Sequence, residues 1–335
     1  MGERNRPASS LPFLTVRVRQ LSDGQEIDLV LLVRERELRT KRDGGRYLRL
    51  SLGDRTGCVE AVLWEGVGEL LAACEPGACV RVSGRYGLHP RYGPRIAVRA
   101  LRPAEPHEYT LGELMDGPPR APAKMEADLR ELVATVQDRH LRTLLDRVLD
   151  PGSQTWLLFR DAPAAKRYHQ AYRHGLLEHC LSVAQAVSAI SATFPGIDRD
   201  VAVTGALLHD IGKLEAYTAD PLAIDMTDAG KLQGEIPLGY YRVRRLIEDI
   251  PGFPAELAAA VLHIILSHHG TLEHGSPVVP CTREATLVHM IDNLGGRLGS
   301  FDRLEKELPD GSQWSPFDRA LGGGAWFAAR ERAAA

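Results

Sequence analysis

Nothing in this chain of 335 residues approaches the run of about 20 apolar residues that a membrane span requires, which excludes an integral helical membrane protein. The opening stretch, MGERNRPASS, lacks the apolar centre of a secretory signal. Cysteine is scarce. The five present (Cys58, Cys74, Cys79, Cys180 and Cys281) are odd in number and form no CxxC pair. That excludes a disulfide framework or a zinc ribbon and points to reduced thiols in a cytoplasmic protein. The net charge is only −3, so the chain as a whole carries no nucleic-acid signature, and there is no internal repeat or low-complexity tract beyond an Ala-rich tail. What is present is ordinary globular material: an apolar fraction of 44% suffices for a sizeable core, and the length suggests two domains.

The charge is unevenly placed. Met1 to Pro103 holds 18 Lys/Arg against 12 Asp/Glu, a net +6 that leaves −9 on the remainder. The basic part also reads as all-β. IDLVLLVRERELR, GRYLRLSLGD and TGCVEAVLWE read as three strands, with an Asp-Arg-Thr-Gly turn between the second and third; a short helix follows over Gly66–Ala73, then ACVRVSGRYG and PRIAVRAL. Five short strands with a helix after the third is the order of an OB-fold barrel. A proline-rich stretch follows, and beyond it the apolar spacing is helical throughout, with helices over Gly175–Phe194, Asp200–His209, Pro237–Asp249, Ala255–His268 and Thr282–Leu294. The expected division is an extension over 1–26, an OB-type barrel over 27–103, a linker over 104–122, an all-α bundle over 123–328 and a tail over 329–335.

Arg39, Lys41, Arg42, Arg46 and Tyr47 cluster around the first turn of the barrel; Arg85, Tyr86, His89, Arg91 and Tyr92 surround the last. In OB domains those loops flank the face that holds oligonucleotides, where arginines meet phosphates and rings stack on bases. These residues are therefore expected to bind a single nucleic-acid strand. Trp64 is expected instead to be a residue of the barrel wall.

In the helical part, His179 lies in GLLEHCLSV, His209 and Asp210 in ALLHDIGK, His268 and His269 in ILSHHG, and Asp292 in HMIDNL. Each segment is otherwise an apolar helix, where a histidine or carboxylate is costly to bury without a partner, and a shared cation supplies one. Imidazole and carboxylate without thiolate suit Mn²⁺, Fe²⁺, Ni²⁺ or Zn²⁺ and match Ca²⁺ poorly. Adjacent residues point about 100° apart in mid-helix, so His209 and Asp210 converge on one ion only at a helix terminus, and Gly212 marks one. Asp210 can then bridge to a second ion, with hydrolysis of a phosphodiester by a metal-activated water as the chemistry. Lys213 would project to the same mouth as a phosphate contact.

YHQAYRHGLLEHCLSV, GALLHDIGK, ILSHHGTLEHGSPVVPCTREA and LVHMIDNL, in this order, resemble the YhaM-type 3′→5′ exoribonuclease family, in which an OB-type domain precedes an HD-superfamily phosphohydrolase domain. The resemblance runs from about Asp28 to Phe327. It implies release of nucleoside 5′-monophosphates from single-stranded RNA, or DNA in some members, with Mn²⁺ as the usual ion. It also implies that His179, His209, Asp210 and Asp292 are the core metal ligands, that His268 with His269 serves a second ion, and that Tyr168, His169 and Tyr172 line the pocket. His209, Asp210 and Lys213 would then carry catalysis. Two departures stand out. Where the family shows Gly-His, this chain has Leu232-Gln233-Gly234-Glu235-Ile236; either Glu235 ligates the second ion as a carboxylate or that ion binds weakly. Gly295-Gly296 stands where the family tends to carry an acidic residue.

Two other readings remain at this point: a hydrolase of nucleotides or cyclic dinucleotides, and a nucleic-acid-binding protein with a degenerate HD domain. The basic loops weigh against the first, and the complete His/Asp set weighs against the second. The sequence is silent on whether the chain forms homo-oligomers.

Overall fold

The computed structural model describes residues 16–41, 43–89, 92–115, 117–166, 170–218, 220, 222–308 and 311–328. They form two compact units, one ending at Leu114 and the other beginning at Met115.

In the first unit β1 (Glu26–Thr40), β2 (Arg46–Asp54), β3 (Gly57–Leu63), β4 (Cys79–His89) and β5 (Gly93–Pro103) close into a barrel in the order β1-β2-β3-β5-β4. This is the expected OB-like topology, with α1 (Val67–Leu70) between β3 and β4. β1 is long enough to serve two neighbours. Its first half pairs with β4, from Glu26↔Arg85 to Leu32↔Cys79, and its second with β2, from Leu32↔Gly53 to Thr40↔Arg46. A register shift between Val33 and Glu35 bends it around the corner. The parallel pairing of β3 with β5, Glu60↔Arg95 to Val62↔Ala97, completes the wall.

Alternation sets the register. Leu48, Leu50 and Leu52 point inward and are buried, while Arg49 between them is exposed. A slip by one residue would exchange the two faces. Leu31, Val80, Val82 and Ile96 fill the rest of the barrel, each contributing about 1.5–3 kcal/mol by burial. Parts of the flanking segments pack here too. The Val18 amide donates to Asp54 Oδ2 (2.8 Å), and α2 (Leu111–Leu114) buries Leu114, whose carbonyl accepts from Arg34 (2.9 Å).

The second unit is built from α3 (Pro122–Ala134), α4 (Arg139–Leu149), α5 (Gln154–Asp161), α6 (Gly175–Ser191), α7 (Arg199–Leu208), α8 (Lys213–Ala216), α9 (Asp228–Gln233), α10 (Glu235–Glu248), α11 (Ala255–Ser267) and α12 (Arg283–Glu307). Side-chain caps mark several starts: Asp138 before α4, Ser153 before α5, Asp198 before α7 and Thr282 before α12. The Asp138 cap separates α4 from α3. α6 and α7 lie at the centre. They are apolar around most of their circumference, and Leu177, Leu181, Val203 and Leu207 are fully buried.

Two expectations about the helical part need correction. α12 does not stop at Leu294 but continues through Gly295, Gly296 and Gly299 to Glu307. Tertiary contacts outweigh the glycine penalty there: Ser300 and Leu304 are buried, and Arg303 pairs with Asp318 (2.5 Å). The chain is also not helical to its end, because Trp314 bridges Trp326 and Asp318 bridges Gly323 in antiparallel pairs. Among the described residues no helix is long and apolar enough to cross a membrane.

Candidate metal centre and nucleic-acid face

Four elements deliver the polar residues of the helical unit to one point. α6 presents His179 from its second turn; His209 caps the C-terminal end of α7, with Asp210 in the turn that follows; His268 caps α11; Asp292 lies on α12. His179, His209, Asp210 and His268 are all 5% exposed or less. His179 Nε2 lies 3.2 Å from His209 Nε2, 3.2 Å from Asp210 Oδ2 and 3.1 Å from Asp292 Oδ1. His268 Nε2 faces the other oxygen of the same carboxylate, 3.5 Å from Asp210 Oδ1. Two groups have ligand atoms within 4.8 Å of one another, His179/His209/Asp292 and His209/Asp210/His268. Asp210 thus turns one oxygen to each side.

The hydrogen bonds aim the rings. Nδ1 of His209 meets the Ala206 carbonyl (2.8 Å), Nδ1 of His268 meets the Ile265 carbonyl (2.8 Å), and Nδ1 of His179 meets Gln170 Oε1 (3.1 Å). A ring whose Nδ1–H donates outward keeps the Nε2 lone pair for the interior, as a metal-binding histidine does. Asp210 Oδ1 and His268 Nε2 have no hydrogen-bond partner among the described residues, although they face one another in a buried space. Two acceptors in that position call for a cation between them. The residues present therefore fit a divalent metal ion.

The charges agree. Burial alone would lower the His179 pKa, but the Asp210 and Asp292 carboxylates outweigh it and push it up to about 9. Burial likewise works against ionised carboxylates, yet Lys213 and His209 hold Asp210 well below the usual range, and His179 and His209 do so for Asp292. The pocket attracts positive charge. Cys180, next to His179, has its thiol pushed far up by burial and belongs to neither group of converging ligand atoms.

Lys213 Nζ sits 2.6 Å from Asp210 Oδ2 with most of its side chain covered, so it is part of the cluster and not a solvated lysine. His269 and Glu235 form the rim: His269 Nε2 is 3.8 Å from Glu235 Oε1, and Glu235 belongs to neither tight group. Tyr172, expected in the pocket, donates its hydroxyl to Glu178 Oε2 (2.5 Å). Tyr168, His169, Arg42 and Arg91 lie outside the described residues. Gln170 was not legible as a site residue, since a lone glutamine in a loop carries no periodic or motif signal.

On the barrel, Trp64 corrects the expectation that it belongs to the wall. It is 49% exposed and stacks on Tyr47 with centroids 4.8 Å apart and planes 26° from parallel. β3 ends at Leu63, so the outward position after it carries the indole to the surface. Lys41 lies over the same ring (5.4 Å) and donates to the Trp64 carbonyl (3.1 Å). Arg39 pairs with Glu37 (2.8 Å), and Arg46 is exposed. At the β4–β5 hairpin, His89 packs on Tyr92 (4.8 Å) and Arg95 stacks over Tyr92 (4.6 Å). Arg85 donates to the Gly24 carbonyl (3.2 Å), and Tyr86 packs half-buried against the barrel core.

The family model described as HD domain matches residues 176–296, the stretch holding the cluster from His179 to Asp292. Three proteins named 3′-5′ exoribonuclease YhaM are similar along most of their length. The one from Geobacillus sp. (strain WCH70) is 31% identical over 291 residues, covering 85% of this chain and 87% of that protein. Those from Bacillus subtilis (strain 168) and Bacillus pumilus (strain SAFR-032) are each 28% identical, over 85% and 86% of this chain and 90% of the relative in both cases. On that extent of similarity, together with the HD domain, the chain belongs to the family of YhaM 3′-5′ exoribonucleases.

Proposed function

We propose that this chain is a metal-dependent 3′–5′ exoribonuclease that shortens single-stranded RNA, or DNA, to nucleoside 5′-monophosphates. The observation that carries the reading is the convergence of three Nε2 atoms and two carboxylates on one buried point in a member of this family. His179, His209, Asp210 and Asp292 would hold one divalent ion, and His268 with the second oxygen of Asp210 would hold another, with His269 and Glu235 at its rim. Mixed imidazole and carboxylate donors without sulfur favour Mn²⁺, with Fe²⁺, Ni²⁺ and Zn²⁺ as the other candidates. Such ions supply positive charge against the phosphate oxygens and make a water more acidic.

The protein's own contribution is positional. The outward Nδ1 hydrogen bonds keep three rings in one tautomer. Lys213 adds a fixed ammonium beside Asp210, where an incoming phosphate meets it. Burial of the cluster excludes bulk water and strengthens each charge. The stacked Tyr47–Trp64 pair, with its exposed indole and Lys41 beside it, and the rings and arginines of the β4–β5 hairpin, are suited to stacking bases and neutralising phosphates without reading sequence. The cytoplasm, where RNA and reduced thiols coexist, is the matching compartment.

Incubation of 5′-labelled single-stranded RNA and DNA with Mn²⁺, Mg²⁺ or EDTA tests this. A ladder shrinking from the 3′ end with Mn²⁺, none with EDTA, and none from His209→Ala is expected. Internal cuts, or activity in EDTA, would overturn it.

A further inference from the structure

We propose that Gln170 is a positioning residue of the metal centre, its amide oxygen holding the His179 ring so that Nε2 faces the cation. The inference rests on His179 being a metal ligand, as argued above.

The three histidines face the same requirement and meet it in different ways. His209 and His268 follow the last turns of α7 and α11, where carbonyl groups lack an intrahelical donor. Each uses the carbonyl three residues back, Ala206 or Ile265, at 2.8 Å. His179 lies inside α6, where the neighbouring carbonyls are taken by the helix itself. Its outward acceptor must come from elsewhere, and Gln170 Oε1 stands 3.1 Å from Nδ1. An amide oxygen there accepts the Nδ1 proton and turns Nε2 toward the cluster, 3.2 Å from Asp210 and 3.1 Å from Asp292.

The backbone around Gln170 is built for this placement. Gln170 has φ 61° and His174 φ 70°, both left-handed and neither glycine. Such residues persist where the surroundings over-determine them, and they gather at functional sites. Here the Gln170 carbonyl accepts from the Ala164 amide (3.1 Å), and His174 Nδ1 meets the Arg160 carbonyl (2.8 Å). Tyr172 ties the loop to Glu178 (2.5 Å). Gly175, the first residue of α6, lies against the Gln170 carbonyl so closely that a Cβ there would collide with that oxygen and with the Ala164 nitrogen. The loop is thus pinned to the start of α6 on both sides. A glutamine stands in a left-handed conformation that glycine would adopt more easily.

That last point supplies the test. The full chain, stripped with chelator, is titrated with MnCl₂ by isothermal calorimetry as wild type, Gln170→Gly, Gln170→Leu, Gln170→Glu and His179→Ala; urea unfolding of each is followed in EDTA. Glycine suits the left-handed backbone, so Gln170→Gly should resist urea as well as or better than wild type. It should nevertheless bind Mn²⁺ about 10–100-fold more weakly, as losing the outer partner of a ligating histidine does. Gln170→Leu should show the same loss of affinity. Gln170→Glu, which can accept the same proton, should stay within a few-fold of wild type. Wild-type affinity in Gln170→Gly would overturn the proposal. So would a loss that tracks reduced urea resistance, or one that glutamate fails to restore, because either would make the residue a loop scaffold. Equal Mn²⁺ binding by wild type and His179→Ala would remove the metal-centre assignment itself, a distinct outcome that takes this proposal with it.

Discussion

Replacing Gly205 with valine places a branched side chain against Ile264. Gly205 lies on α7 four residues before His209, and Ile264 lies on α11 four residues before His268, so the two helices touch one turn behind the ligands they carry. The His209 and His268 rings are 4.9 Å apart. Even a single methyl carbon at Gly205 would fall within 3.0 Å of Ile264 Cδ1, Cγ2 and Cβ, and Ile264 is fully buried. Overpacking of this kind costs about 1–3 kcal/mol, and the two further methyl groups of valine place this case at the upper end. The helix propensity gained on leaving glycine is only a few tenths of a kcal/mol for valine, so it does not change the sign.

Relief must come from the facing residue. Ile264→Ala removes the same number of carbons that Gly205→Val adds, making the double variant a transfer of volume across one interface. Ile264→Ala alone should cost about 2–5 kcal/mol through the cavity it leaves. The double variant should be more stable than the additive expectation by about 0.5–3 kcal/mol. Urea unfolding in EDTA, followed by helical circular dichroism, measures all four corners of the cycle. Mn²⁺ titration then asks what the displaced helix does to the site. Gly205→Val should lose ions from the group containing both His209 and His268 before it loses them from the His179/Asp292 side, and Ile264→Ala should restore part of that stoichiometry. Additive energies, or unchanged Mn²⁺ binding in Gly205→Val, would refute the claim that this crossing sets the spacing of the ligands.

Three further outcomes are expected. Trp64→Ala should weaken RNA binding by about 1–3 kcal/mol, the worth of one base stacked on an aromatic ring, measured by fluorescence anisotropy in a His209→Ala background; unchanged binding would leave the indole without a role on the strand. Glu235→His should raise the bound Mn²⁺ per chain in metal analysis, because an imidazole beside His269 strengthens the rim where the carboxylate now stands 3.8 Å away. Glu108 accepts from Arg102 (2.7 Å) and Arg81 (2.6 Å), which hold its carboxyl well below the usual range. Its contribution is present above the ordinary glutamate value of about 4.3 and is lost as pH falls toward the lowered folded value, so Glu108→Gln should flatten the acid side of the thermal-stability profile.

The barrel was legible because strand alternation is a local signal. Leu48, Leu50 and Leu52 alternate with polar neighbours, and turn residues punctuate the strands, so element order and topology follow. Trp64 defeated the same reasoning. An aromatic residue at a strand end fits a wall and a surface equally well, and only its stacking on Tyr47 distinguishes them. α12 defeated it differently: three glycines read as a stop, while the support that carries the helix past them comes from Asp318 and from buried Ser300 and Leu304, all remote from the local pattern.

For the metal centre, the ligands could be read because burying imidazole and carboxylate in apolar helices is costly enough to demand a shared purpose. What aims them could not. His209 and His268 are oriented by carbonyls of their own helices, which any sequence supplies at a helix end. His179 depends on a side chain nine residues away in a loop, reached only because Gly175 lets the Gln170 backbone lie against α6. The residues that pay for burial announce themselves in sequence, whereas those that orient them are found only once the chain has folded. Variation in Gln170 should therefore alter how tightly the ion is held without altering which residues hold it.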